Sequence, residues 1–331
     1  MDAITYGSLF LILGSTRLSV LTCCISENPG KHGFLSADAE TQEELKDYLL
    51  YEEDGHIGLF VMLGETIKPL FYGTVTCMEV KAQGGRCVLH LEALTESYQM
   101  DLTVRNRSFQ DVAMTSHQLI QKILEPYSQS QILFSIEDKA LGQIMVQYQE
   151  TDWEFLNRVL SAYGASAYIA GNEPGIYLRV GLMDTEEDAD WDLLPYVLHR
   201  NAAPRETKKG LKGQICYQIE TYDILPLGEK CFSKGKNCIS ENRKIFPAGT
   251  FVSRYYLYFA EGLRKLKYYN PFLGGVSING VVTAASRNRL QAQLETDALA
   301  NYRKSIFSPF LQWQHLRMEV DGIACPDRGI R

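Results

Sequence analysis

What this chain lacks narrows its function before any motif is considered. No segment approaches the roughly 18 apolar residues that a membrane-spanning helix needs; Phe10 to Leu13 is a short apolar run and no more. Positive charge is not in excess: 33 Lys and Arg stand against 40 Asp and Glu, a net charge of −7. A general nucleic-acid binder would present a basic face instead. The cluster Arg200, Arg205, Lys208, Lys209 and Lys212 reads as a solvated loop. Eight cysteines are thinly spread, without a C-x-x-C pair or a Cys/His group at zinc spacing. Cys23 and Cys24 are adjacent and ill placed to pair with each other. Free thiols in a reducing compartment are the expectation. No glycine-rich phosphate loop is found, since Leu273-Gly274-Gly275 has no Lys-Ser/Thr partner. Asp2 precedes the first apolar stretch without a basic leader, so no secretory signal is read and synthesis in the cytoplasm is expected.

What remains is an ordinary globular composition, 45% hydrophobic and 22% charged over 331 residues, long enough for about two to four domains. Residues 1 to 107 read as β. Arg17 to Ile25, Gly58 to Leu63, Leu70 to Val80 and Arg86 to Leu94 are rich in strand formers, and clusters such as Glu27-Asn28-Pro29-Gly30 separate them. In the last of these, Cys87, Leu89 and Leu91 alternate with Val88, His90 and Glu92, which predicts one buried face. Thr41 to Tyr51 is polar and reads as a short helix or loop. From 108 to about 182 helices and strands mix. Thr115 with Gln118 forms a capping box that opens a helix limited by Pro126, and a strand pair follows it. Short strands at Ser166 to Ile169 and Gly175 to Val180 complete an α+β insert. Residues 183 to 271 return to β, with strands at Gln214 to Leu225 and Phe251 to Phe259 and a turn at Lys234-Gly235-Lys236-Asn237. From Gly280 a hairpin is predicted, with Leu290, Ala292 and Leu294 alternating.

Candidate chemistry is sparse. The acidic run Asp184 to Asp190 lacks the frame and terminal Glu of a calcium-binding loop and reads as solvated. Cys231 and Cys238 flank a basic turn, but the six histidines (32, 56, 90, 117, 199, 315) include none that a motif places beside them. Glu150, Asp152 and Glu154 could serve as an acid/base set for a glycan hydrolase. The local alternative explains two of them more simply: Thr151 and Glu154 form a second capping box, and Asp152 complements the dipole at a helix start. Trp153, Leu156, Val159, Leu160 and Tyr163 recur at helical spacing, and Gly164 supplies a left-handed stop. Trp153 reads as a core anchor.

The run Gln147-Tyr148-Gln149-Glu150-Thr151-Asp152-Trp153-Glu154-Phe155-Leu156-Asn157-Arg158, ending at Gly164, resembles a signature of the hub and spike proteins of contractile injection systems. That family includes phage late control gene D proteins, myophage baseplate hubs and the valine-glycine-repeat spike proteins of type VI secretion. Arg105 to Leu124, with Phe109 and Gln110, resembles the segment that precedes it. The resemblance implies a mainly β fold with an α+β insert. A first tube-like β-barrel would span 1–107, the insert 108–182, a second barrel 183–271, and the start of an OB-type domain 272–331. Phe307 to Phe310 and Cys325 to Gly329 resemble later parts of that last domain, and the chain would stop before it closes. The family residues matched are Phe109, Gln110, Gln147, Tyr148, Glu150, Thr151, Asp152, Phe155, Leu156, Arg158 and Gly164. The implied role is structural, with no enzymatic activity, cofactor or metal. The implied partners are two further copies in a homotrimer, the tail tube, spike tip, tape-measure and other baseplate proteins. Neither specific nucleic acid nor stable membrane insertion is expected, and the destination is a phage-tail-like particle. A hub carrying a hydrolase or effector module after Arg331, or a stand-alone hydrolase using Glu150 or Asp152, are the alternatives.

Overall fold

The computed structural model describes residues 4–41, 55–83, 86–184, 191, 193–200, 215–233, 236–240, 251–286 and 289–294. Within them the chain is mainly β, as the alternating patterns predict, and it forms two compact units.

The first unit begins with a closed barrel. Strands β1 (Leu9–Leu13), β2 (Thr16–Ser26), β3 (Phe34–Thr41), β4 (His56–Leu63), β5 (Thr66–Gln83) and β6 (Arg86–Thr95) follow the order β1-β2-β3-β6-β5-β4 around it. The antiparallel pairing of β1 with β4, from Leu9 opposite Val61 to Leu13 opposite Ile57, completes the ring. The alternation in β6 does what it predicts: Cys87, Leu89, Leu91 and Ala93 are buried, while Val88, His90 and Glu92 lie on the half-wet face. Leu11, Leu13, Leu35, Leu59 and Phe71 fill the interior, each worth about 1.5–3 kcal/mol in area removed from water. Bulges at Val20/Thr22, Leu59/Phe60 and Val75/Cys77 sharpen the strand bending that closure requires. Phe251 joins this core and its backbone N–H donates to the Ile4 carbonyl at 2.8 Å.

The same unit holds two further sheets. In one, β8 (Ser130–Phe134) runs parallel to β11 (Ile176–Val180), which pairs antiparallel with β10 (Ala167–Ile169). In the other, β12 (Met183–Asp184), β13 (Tyr196–Arg200), β14 (Ile215–Thr221), β15 (Glu229–Ser233), β16 (Lys236–Ser240) and β17 (Ser253–Phe259) take the order β12-β15-β16-β17-β14-β13. Where a second closed barrel is expected, this sheet is open among the described residues. Its edge β12 has only two residues, and no pairing joins it to β13, whose five residues are all exposed. The acidic run beyond Asp184, the basic residues from Arg205, the turn at Lys234 and Gly235, and the polar segment after Thr41 lie outside the described residues.

The second unit holds β7 (Val104–Phe109), β9 (Met145–Thr151), the hairpin β18 (Gly280–Ser286) with β19 (Arg289–Leu294), most of helix α1 (Ser116–Leu124) and the first turns of helix α2 (Asp152–Ala162). The strand pair predicted after α1 does not form. β8 pairs with β11 and β9 with β7, so two strands near in sequence belong to different sheets. β7 begins before residue 107, because its hydrogen-bonding partner is β9 and not the barrel. The Thr115 box is present: Gln118 N–H donates to Thr115 Oγ1 at 3.3 Å, and Gln118 Oε1 accepts from Thr115 N–H at 3.0 Å. The hairpin forms as predicted, whereas Phe307 to Phe310 and Cys325 to Gly329 lie outside the described residues.

Candidate functional site

The signature residues converge where β9 runs into α2. Glu154 N–H donates to Thr151 Oγ1 at 3.1 Å, and Glu154 Oε2 accepts from Thr151 N–H at 3.0 Å, the two halves of the predicted capping box. At the other end Gly164 has φ +66°. Gly164 N–H donates to Ser161 O and Ala165 N–H to Leu160 O, both at 3.1 Å. That bond pair is a Schellman closure, which needs a left-handed residue and hence glycine. Trp153, Phe155, Leu156, Val159 and Leu160 are buried, whereas Tyr163 is only half-buried.

A bulge sets the geometry of the junction. Arg105 pairs with Glu150 and Arg107 with Gln147, so three residues of β7 span four of β9. The extra residue is accommodated by Gln149, held at φ +49°, whose N–H donates to Asn106 Oδ1 at 2.8 Å. Gln147 and Glu150 would face opposite ways in a regular strand; the bulge turns both, and Asp152 after them, to the side that carries Arg105 and Arg107.

Asp152 is fully buried and neutralised twice. Arg107 Nη2 donates to Oδ1 at 2.6 Å, and Arg105 Nε lies 3.0 Å from Oδ2 as an ion pair bent away from hydrogen-bond alignment. Gln147, also at 0% exposure, accepts from Arg107 Nε at 2.7 Å and donates to Asp152 Oδ1 and to the Glu150 carbonyl, both at 3.0 Å. Glu150 receives Arg158 in a two-point contact, Nε to Oε1 at 2.6 Å and Nη2 to Oε2 at 2.8 Å, and Arg158 Nη2 also donates to the Val146 carbonyl at 2.6 Å. The Thr151 hydroxyl donates to the Asp101 carboxylate. Phe109 stacks on Phe155 with centroids 5.6 Å apart, and Arg107 and Arg158 lie over one ring each. Gln110 is buried and donates to Ser108 Oγ at 2.8 Å. The Tyr148 carbonyl accepts from Asn270 at 2.7 Å, and its side chain packs on the cluster of Val146, Ile278 and Leu294. Burial, reinforced by the Glu150 charge and partly countered by Arg158, pushes the Tyr268 phenol up to about 12.

Chemically, this arrangement spends its charges internally. A general acid or base needs a lone pair or proton available to substrate, yet Asp152 and Glu150 each hold arginines at hydrogen-bonding distance. The dipole argument for Asp152 holds but omits its main partners. Arg105 and Arg107 are the residues a local reading misses, and the signal available for them is their i, i+2 spacing on one strand face. Among the described residues no group of three or more His, Cys, Asp or Glu stands close enough to hold a metal ion, and no helix is long and apolar enough to cross a membrane. Cys23, Cys24, Cys77, Cys87 and Cys216 are free thiols.

Residues 61–202, which include this junction, match the family model of the phage tail baseplate hub (GPD). No curated protein matches the sequence. Among solved structures, the chain is similar to the E. coli c3393 protein, described as a component of the type VI secretion system with structural similarity to the T4 bacteriophage tail proteins gp27 and gp5. The TM-score is 0.66 at 14% identity, covering 90% of this chain and 92% of that one. The 43 kDa tail protein of prophage MuSo2 from Shewanella oneidensis gives 0.57 at 8% identity, over 80% of this chain and 100% of that one. A chain of the half-lidded Francisella PdpA–VgrG complex gives 0.52 at 9% identity, over 93% and 72%. The similarity to the baseplate hub family thus spans residues 61–202, and the fold of the chain is like that of these type VI secretion and phage tail proteins.

Proposed function

We propose that this protein is the structural hub of a contractile, phage-tail-like injection particle, working as a homotrimer that adapts a sixfold tail tube to a threefold spike. The observation that carries the reading is the hub-domain match over residues 61–202. The junction supports it, because the residues that mark the family are engaged with one another and serve to lock β9 to α2. Each chain contributes two six-stranded β units, the closed barrel and the open sheet. Three chains would then present six such units around one axis, which is the arithmetic a sixfold tube needs.

In this reading the domains are a tube-like unit over 1–107, the insert over 108–182, a second tube-like unit over 183–271 and an OB-type start over 272–331. The exposed edge strand β13, with Tyr196, Val197 and Leu198 open to solvent, supports completion of the second sheet by a neighbouring subunit, since an uncovered apolar edge invites pairing. Tube, spike-tip and other baseplate proteins are the partners, and the assembled particle is the destination. The work is assembly and force transmission. The two carboxylates that a hydrolase would use are both ion-paired, which supports the structural role.

The test is reconstitution with the tube and spike proteins of the same particle, followed by particle imaging. Three copies at one end of the tube, between tube and spike, are expected. Tubes that form and end without this chain would overturn the proposal.

A further inference from the structure

Two residues that stand out in the sequence have no part in the hub reading: Cys231 and Cys238, on either side of a basic turn. The fold makes them partners. In the open sheet β15 and β16 run antiparallel, with Lys230 opposite Ile239, Cys231 opposite Cys238, Phe232 opposite Asn237 and Ser233 opposite Lys236.

That register decides which chemistry is open to them. Residues directly opposite in an antiparallel pair have Cα atoms about 4.5 or 5.5 Å apart, according to whether they exchange hydrogen bonds. A disulfide accepts Cα separations of about 4.4–6.8 Å, so either kind of pair lies inside its range. A slip of one residue would place one cysteine on the opposite face. Outer neighbours hold the register against such a slip. β15 pairs with β12 through Met183 opposite Glu229 and Asp184 opposite Lys230, and β16 pairs with β17 through Cys238 opposite Phe259 and Ile239 opposite Tyr258.

Other cysteines are less well placed. Cys216 stands opposite Tyr258, so its row crosses β16 at Ile239 and not at Cys238. Cys23, Cys24, Cys77 and Cys87 belong to the barrel strands. The charge around the pair is one-sided: from Glu229 to Ser240 one acidic residue accompanies Lys230, Lys234 and Lys236. Such a run attracts a small anionic reactant.

We propose that Cys231 and Cys238 form a redox-responsive pair, joined as a cross-strand disulfide by exchange with a small anionic disulfide of the glutathione type. One cysteine thiolate attacks a sulfur of glutathione disulfide and expels a glutathione thiolate, leaving a mixed disulfide. The second cysteine thiolate attacks the protein sulfur of that mixed disulfide and expels the other glutathione. One S–S bond breaks and one forms; the cysteines give up two electrons and two protons, and the oxidant leaves as two thiols. With reduced glutathione in excess the exchange runs backward, in keeping with the transient disulfides of reducing compartments. The inference does not depend on the hub reading, since the register belongs to a single chain.

The test treats the full chain with glutathione disulfide, in native buffer and in urea, and follows alkylatable thiols and non-reduced peptide masses over time. Folded protein should lose two thiols and yield a linked Cys231–Cys238 peptide, about tenfold faster than in urea, because register replaces closure of a flexible loop. Reduced glutathione should restore both thiols. Cys238→Ser combined with Ile239→Cys keeps two cysteines close in sequence but out of register, and should slow the link about tenfold. Native protein that keeps both thiols, stops at mixed glutathione adducts, or links these cysteines elsewhere would overturn the proposal. Equal rates in native buffer and in urea would overturn it as well.

Discussion

The β1–β6 barrel and the β7/β9–α2 junction solve the same problem, a unique buried arrangement, with opposite chemistry. The barrel buries leucines, isoleucines and alanines whose contacts are non-directional, so any side chain of suitable volume and shape can hold the place. The junction buries Asp152, Gln147 and Glu150, each satisfied by a named partner at a fixed distance. Taking the two carboxylates out of water costs several kcal/mol each, which only good geometry offsets. The barrel should therefore tolerate substitution within a class better than the junction does. That difference explains why a recognisable string of residues marks the junction and only a pattern marks the barrel.

Substitutions that keep shape but change chemistry break the comparison most directly. Leu59→Ala in the barrel should cost about 3–4 kcal/mol through the cavity it leaves, but Leu59→Met less than about 1.5. Asp152→Asn, though isosteric, should cost about 3 kcal/mol, because two arginines lose their buried counter-charge. Equal tolerance of Leu59→Met and Asp152→Asn in denaturant melts would erase the distinction. Glu150→Gln should cost about 2 kcal/mol by releasing Arg158, an effect that Arg158→Met in the same chain should partly reverse. Thr151→Ala removes one cap bond and should cost about 1 kcal/mol.

Titrations sharpen the comparison at smaller amplitude. On the barrel's wet face burial raises the Asp38 carboxyl, but hydrogen bonds from Thr22 and His90 and the nearby Lys81 outweigh it, leaving the pKa below the ordinary value. The stabilisation this gives is present above the usual carboxylate range and is lost as pH falls through the lowered folded value. Asp38→Asn should therefore flatten stability against pH on the acid side by a fraction of a kcal/mol, since the group is part exposed. At the junction the raised Tyr268 phenol works in the alkaline direction. Its contribution is complete below the ordinary tyrosine value near 10 and disappears as pH rises through about 12. Ultraviolet difference spectra should show a late tyrosine component that Tyr268→Phe diminishes.

Legibility in sequence follows the same division. Local chemistry was readable: both capping boxes, the Gly164 stop and the buried face of β6 are short-range facts. β3 is weakly encoded because its inward residues next to Leu35 are Ala37 and Ala39, too small to give a strong alternating signal beside Ser36, Asp38 and Glu40. Proximity along the chain favours β8 and β9 as partners, and nothing local reveals that β8 runs parallel to β11 over forty positions later. The junction was half legible. Thr151 and Glu154 explain each other, but Arg105 and Arg107 meet Asp152 only through long-range pairing across a bulge at Gln149, which no periodicity encodes. The edge position of β13 among the described residues is equally invisible, since a strand's sequence does not say where its second neighbour lies.

That open edge leads to the most direct test of the central claim, that this is an assembling structural hub. Native mass spectrometry of the purified full chain, with and without its tube protein, counts the copies. The account predicts three per complex, alone or on the tube. A protein that stays monomeric at micromolar concentration in both conditions would contradict it.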